Sequence, residues 1–353
     1  MLKSNRSISF DSTKFSKVKK VATGYDEVNH IKKINQYMII SQIGKGSSAK
    51  VFLAIDTNTS VPYAIKRIRI RKIYKTPTGI LQLQNEIKIM KKLKHKNIVK
   101  LHEVIHVKET ETVYLVMEYA DCGNLSINNI KLTDNEIRVV FKQIVDSVAY
   151  LHENRFIHQD IKPENILIKH DGVVILSDFG ICHSFDTSVP VFSTPAYQAP
   201  EVIDRSPEDE KYYEPGKEDV WSLGVTLYVL VFKKLPFSGN SVFEIINSIT
   251  SSKLVPPMEC DPILWDLISN MLNTDLEKRY NIKQVKEHQY VSLSPNIKLK
   301  FIPKKIPQKD SKFPIKTITG EVVDENHIFT LTINRNSKNN LADLPIHKFY
   351  SFG

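Results

Sequence analysis

From residue 37 the apolar and polar positions alternate in short runs, "YMIISQIGKG", "AKVFLAID" and "PYAIKRIRI", separated by Gly/Ser and by "TNTSVP". A period of two bounded by turn residues predicts an antiparallel sheet. A helix follows, with Leu83, Ile87 and Met90 spaced i, i+4, i+7, and then two further strand-like runs, "LHEVIHV" and "ETVYLVMEYA". Past "DCGN" the period changes to that of a helix. The stretch "TDNEIRVVFKQIVDSVAYLHEN" opens with Thr133 and Glu136 at capping-box spacing and repeats apolar residues at 137, 140, 141, 144, 148 and 151. "EDVWSLGVTLYVLVF", Glu218 to Phe232, is apolar nearly all round and too short to cross a bilayer, so it predicts a buried helix. The pattern therefore gives an α+β chain with a small β-rich lobe at 37–117 that carries one helix and a larger, mainly helical lobe at 125–291. After residue 291 the helical periodicity stops, and 292–353 read as a C-terminal extension.

Composition narrows the class. At 353 residues and 41% apolar content the chain can bury a full core. No run of about 18 apolar residues and no signal-peptide stretch is present, so a cytoplasmic or nuclear protein without a membrane span is expected. Cys122, Cys182 and Cys260 are scattered, with neither disulfide nor zinc spacing. The net charge of +10 sits at the ends: residues 1–36 hold eight Lys/Arg against three acids, and residues 294–318 hold seven Lys against one. Both ends read as solvated basic tails, the N-terminal one flexible, and no base-reading motif makes nucleic acid an expected partner.

Candidate chemistry begins at "IGKGSSAKVF", where Gly44 and Gly46 at a strand-to-strand turn would let backbone N–H groups approach a phosphate. Alone the string is more often a plain Gly/Ser hairpin turn, and it is not a P-loop. Lys66 then ends a strand in an apolar setting, and Glu86 lies three residues after Leu83 and four before Met90, on the apolar face of its helix. A carboxylate aimed inward needs a cation, and Lys66 is the nearest candidate. In "HQDIKPENILI", Asp160, Lys162 and Asn165 put a carboxylate, an ammonium and an amide within six residues. Such a set can accept a hydroxyl proton, neutralise a transferring phosphoryl group and hold a metal ion. "SDFG" follows and offers Asp178 as a second metal-ligating oxygen donor.

These strings, with "APE" at Ala199 to Glu201, "DVWSLG" and Arg279 in "LEKRY", resemble in order and spacing the signature set of eukaryotic protein kinases over residues 37–291. The resemblance implies the two-lobed kinase fold with a hinge at 118–124, ATP and Mg²⁺ as cofactors, and a protein substrate bearing a Ser or Thr hydroxyl. It implies that Lys66, paired with Glu86, meets the α/β-phosphates, that Asn165 and Asp178 hold Mg²⁺, that Asp160 takes the hydroxyl proton, and that Lys162 stabilises the γ-phosphoryl. Ile43, Val51, Ala64 and Leu167 would enclose the adenine, with Met117 behind it. Gly44, Lys45, Gly46 and Ser47 would lie over the phosphates, and Glu118, Ala120 and Asn124 would line the hinge side. Glu201 and Arg279 resemble a buried structural ion pair, and Asp219 an anchor beneath the catalytic loop.

Lys162 in "DIKPEN" and Thr194 in "STPAYQAPE" resemble Ser/Thr rather than Tyr kinases. Two departures stand out. Ala49 replaces the third glycine of the loop. Gln159 precedes Asp160 where the family commonly has an arginine that pairs with an activation-segment phosphate. Pro190, four residues before Thr194, offers no hydroxyl for that phosphate. The expectation is a signalling kinase active without activation-segment phosphorylation; the alternative is a pseudokinase scaffold. "LVMEYADCGNL" and "GVTLYVLVFKKLPFSGNS" most resemble the calcium/calmodulin-dependent kinase kinases and related upstream kinases of the AMP-activated kinase group. That implies another kinase as substrate and calmodulin as a candidate partner, although the tail shows no clear basic amphipathic helix.

Overall fold

The computed structural model describes residues 31–46, 49–75, 78–126, 131–186, 194–203, 214–251, 254–306 and 315–324. The first lobe is built on strands β1 (Ile31–Ile34), β2 (Tyr37–Lys45), β3 (Ala49–Asp56) and β4 (Pro62–Arg69), helices α1 (Ile70–Ile73) and α2 (Gly79–Lys92), and strands β5 (Leu101–Val107) and β6 (Thr112–Glu118). The strands from β2 to β6 pair antiparallel, as their alternation predicts. Each face of the sheet buries its own set. Ala49, Ile68, Val113 and Leu115 pack against Leu83 and Ile87 of α2, while Tyr37, Ala54, Ile65 and Val116 form the opposite cluster.

The second lobe holds strand β7 (Gly123–Asn124), helix α3 (Asp134–Glu153), strands β8 (Phe156–Ile157), β9 (Ile166–Ile168), β10 (Val174–Leu176) and β11 (His183–Ser184), and helices α4 (Pro200–Ile203), α5 (Lys217–Phe232), α6 (Val242–Ser251), α7 (Pro262–Met271), α8 (Ile282–Glu287) and α9 (Gln289–Ser292). The Thr133–Glu136 capping box of α3 is formed in both directions. Nearly every residue of α5 is buried, which explains its uniform apolarity. This is the two-lobed α+β arrangement the pattern predicts.

The ends depart from the reading of two solvated tails. Residues 31–34 form β1, with Ile34 buried, and strands β12 (Ile315–Ile318) and β13 (Glu321–Val322) join the same sheet. β12 runs parallel to β1 and β13 antiparallel to β5, so the sheet has eight strands in the order β12-β1-β2-β3-β4-β6-β5-β13. Four-residue strands that carry one or two lysines between isoleucines look solvated until their distant partner is known. Residues 1–30, with most of the basic N-terminal segment, lie outside the described residues. No helix among the described residues is long and apolar enough to cross a membrane.

Candidate active site

Lys66 on β4 reaches two carboxylates. Its Nζ lies 2.6 Å from Glu86 Oε1 on α2 and 2.9 Å from Asp178 Oδ1, just beyond β10. Glu86 is 5% exposed, so its inward aim is satisfied by the lysine that the sequence assigned to it. Burial alone would depress the Lys66 ammonium, but Asp178 and Glu86 more than offset it and hold the group above the ordinary lysine range. Lys66 in turn lowers the Asp178 carboxyl to about 2, helped by the Gly180 amide. Asp178 sits at φ 66, a left-handed conformation that costs an aspartate on the order of 1–3 kcal/mol and is held by these contacts.

The loop between β8 and β9 carries the second cluster. Lys162 Nζ donates to both Asp160 oxygens at 2.7 and 2.8 Å and to Thr194 Oγ1 at 2.8 Å. Asn165 Nδ2 donates to the Asp160 carbonyl at 2.8 Å and to its Oδ2 at 2.7 Å. Ser177 ties the two clusters together, because its N–H and hydroxyl both donate to the Asn165 carbonyl, at 2.9 and 2.8 Å. The loop is held from below by Asp219 of α5, fully buried, which accepts from the His158 and Gln159 amides at 2.8 Å each. His152 Nε2 lies 2.9 Å from the same carboxylate. Burial pushes the Asp219 carboxyl up, yet His152 and the His158 amide carry it below the ordinary range.

Gln159 has φ 65 and a buried side chain, with Nε2 3.4 Å from His183 Nε2. Glu201 and Arg279 form a bidentate pair at 2.6 and 2.9 Å, and the guanidinium also stacks over Trp221 and donates to the Asn273 carbonyl. Arg279, 1% exposed, is thus compensated on every side.

The expected nucleotide-pocket residues fall in two sets. On the first-lobe sheet Gly44 registers with Val51, Val51 with Lys66 and Ala64 with Met117, all on one face, and in the second lobe Asn124 registers with Leu167. Gly46 N–H closes the turn on the Ala49 carbonyl at 2.9 Å, and Ile43 is 47% exposed at the rim. Glu118 turns its carboxylate back to the Lys100 amide, so on the hinge side it presents main chain, and Ala120 is buried beside it. Lys45 is a correction. It is the strand neighbour of Gly44, so its side chain faces the other side of the sheet, beside Lys50. Ser47, Pro190 and most of the activation segment lie outside the described residues. Sequence reading missed His152, Ser177 and the tail. Only the position of His152 on the inner side of α3, beside the apolar stripe, could have flagged it.

The sequence profile of the protein kinase domain matches residues 37–291. Curated relatives include a probable serine/threonine-protein kinase of Dictyostelium discoideum, 37% identical over 275 residues that make up 74% of this chain and 39% of that protein. Serine/threonine-protein kinase stk11 of Xenopus laevis is 32% identical, and STK11 of Homo sapiens 31%, each over 269 residues covering 73% of this chain and 61% of the relative. The chain thus spans 39% to 61% of the length of the relatives it matches.

Proposed function

Because this chain belongs to the protein kinase domain family, we propose that it is a protein serine/threonine kinase, transferring the γ-phosphoryl of Mg²⁺·ATP to a hydroxyl of a protein substrate with no need for an activation-segment phosphate. The observation that carries this reading is the pair of clusters joined through Ser177: Lys66–Glu86–Asp178 and Asp160–Lys162–Asn165–Thr194. Family proteins with the same residues do chemistry by positioning and charge stabilisation.

The residues fit a hard divalent cation. Asn165 spends its amide nitrogen on Asp160 and Asp178 spends one oxygen on Lys66, which leaves Asn165 Oδ1 and Asp178 Oδ2 as oxygen donors. Bound there, Mg²⁺ would neutralise charge on the phosphates. Lys66 would hold the α/β-phosphates, Asp160 would orient the hydroxyl and receive its proton, and Lys162 would offset charge on the transferring group. The Lys162–Thr194 contact joins that chemistry to the segment on which a Ser/Thr substrate would lie. Gln159 supports phosphate independence, because the position beside His183 carries a buried neutral amide in place of a cation.

Similarity to STK11 proteins, together with the resemblance to upstream kinases of the AMP-activated kinase group, supports another protein kinase as the substrate. Calmodulin has less support: residues 294–306 are irregular chain and 315–318 and 321–322 are strand, with no helical face for it there.

The test uses protein made in a host without other protein kinases and treated with phosphatase, mixed with labelled ATP and generic Ser, Thr and Tyr peptides. Label should enter Ser or Thr, and Asp160→Asn should lower kcat by about 10²–10⁴ with nucleotide affinity retained. Activity lost on phosphatase treatment would overturn phosphate independence. Nucleotide binding without any transfer would make the chain a scaffold.

A further inference from the structure

The sheet face turned away from Lys66 carries a row of cations. Side chains alternate along a strand and directly opposed pairs share a face. Val51 opposes both Gly44 and Lys66, so their neighbours Lys45, Lys50 and Arg67 share the other face, Lys45 in register with Lys50 and Lys50 with Arg67. Arg69 follows two residues after Arg67, and Lys72 of α1 completes the group. These five cations line a concavity of about 310 Å³ whose other walls are Gly46 and Ala49.

Among the described residues no carboxylate lines it, and Lys45, Lys50, Arg69 and Lys72 have no ion-pair partner there. Their neighbour Arg71 shows the contrast, since it is paired with Glu111 at 2.8 Å. Like charges directly opposed across strands cost stability. Here Lys45 and Lys50 stand directly opposed with neither paired among the described residues, and next in register the Arg67 guanidinium is braced 5.1 Å over the Phe52 ring.

We propose that this concavity, whose cations stand on the face away from Lys66 and which meets the nucleotide side only at the Gly46–Ala49 turn, is a docking site for a phosphoserine or phosphothreonine on a protein segment. A phosphoryl dianion brings three acceptor oxygens and nearly two charges, which suits the Arg69 guanidinium fork and the ammonium groups of Lys45, Lys50 and Lys72 better than a single carboxylate does. A lipid surface is a poorer fit, because among the described residues no large apolar side chain lines the concavity to enter a bilayer. Nucleic acid is poorer too, because the ring nearest the row, Phe52, is covered by Arg67, and Tyr114, opposite Arg67 on β6, is buried, so neither offers a stacking platform.

The probe is a fluorescein-labelled degenerate peptide pool with a fixed phosphoserine, followed by fluorescence polarisation on the full chain while a non-hydrolysable ATP analogue fills the cleft. A matched pool with serine and vesicles of phosphatidylcholine with phosphatidylserine run beside it. The phosphoserine pool should bind about tenfold or more tighter than the serine pool, and the double substitution Lys50→Glu with Arg69→Glu should remove that advantage. Lys50→Gln, which keeps the stem and relieves the like-charge row, should weaken phosphopeptide binding without lowering the unfolding temperature at low salt. Equal affinity for the two pools, or binding indifferent to Lys50 and Arg69, overturns the proposal. So does vesicle binding that depends on Lys50 and Arg69 in place of phosphopeptide binding, which assigns the face to lipid.

Discussion

Lys66 is held between one carboxylate from its own lobe and one from the other, and the consequences differ for the two acids. Asp178, half exposed, is drawn down to about 2 by the ammonium, below the value near 3.9 of an unfolded aspartate. A depressed folded value means that its contribution to stability is present above about pH 4 and is lost as pH falls from there through about 2. At neutral pH Asp178 is therefore fully ionised, the form a metal ligand needs. Lys66→Gln removes the cation, so the Asp178 carboxyl should climb towards its ordinary range. Buried Glu86, whose carboxyl burial already pushes up, should take a proton instead of remaining an unpaired charge. Carbon-detected titration of the two carboxyls by NMR checks both. An Asp178 midpoint that stays near 2 in the variant would show that Lys66 is not what holds it.

Strands β1, β12 and β13 show how an element can depend on a partner far away in the chain. Asn35, at φ 48 in the turn after β1, receives the Gly320 N–H on Oδ1 at 3.0 Å and donates Nδ2 to the Gly320 carbonyl at 3.2 Å. A Cβ on Gly320 would stand 2.5 Å from Ile105 Cγ2 and 2.8 Å from the His106 carbonyl, so the close approach of β13 to β5 needs a glycine there. Gly320→Val should push β13 off β5, costing about 1–3 kcal/mol in overpacking. Faster amide exchange along β5, with α3 and α5 unchanged, would report it; unchanged exchange in β5 would mean the edge strand is not held by that contact. The sequence could not have shown this pairing. "IKKI" and "IKTI" are short, lysine-bearing and 284 residues apart, so local periodicity has nothing to register. The catalytic loop was legible for the opposite reason, since Asp160, Lys162 and Asn165 place scarce chemistry within one turn of chain. Asp219 was legible only by resemblance, and its partner His152 only as a polar residue beside the apolar stripe of α3, because a buried polar pair leaves no period of its own in the sequence.

The tail that follows α9 ties the two lobes together. Leu299 is buried in the core of the second lobe against Gly172, which has φ 87 and where a Cβ would meet the Leu299 carbonyl at 2.6 Å. Phe301 N–H donates to the His170 carbonyl at 3.2 Å, and Lys304 N–H donates to the Asp121 carbonyl at 2.8 Å, at the connection between the lobes. The chain then reaches the first lobe, where Val323 is buried beside Leu83 and Ile87 and Glu321 pairs with Lys108 at 2.8 Å. One basic end of the sequence is in this way part of the folded body. Two truncations separate its roles. A stop after Leu293 removes both anchors, and burial of Leu299 and Val323 is worth about 1.5–3 kcal/mol each. At about 2–4 °C per kcal/mol, the unfolding temperature should fall by about 6 °C or more. A stop after Ile306 keeps Leu299 and the Asp121 contact and loses only the first-lobe anchor, so it should recover about half of that loss while β1 and β5 still exchange faster. If both truncated chains melt with the full chain, the tail lies on the lobes without holding them. If the two fall together, the first-lobe anchor alone carries the effect and the contact at Asp121 adds nothing.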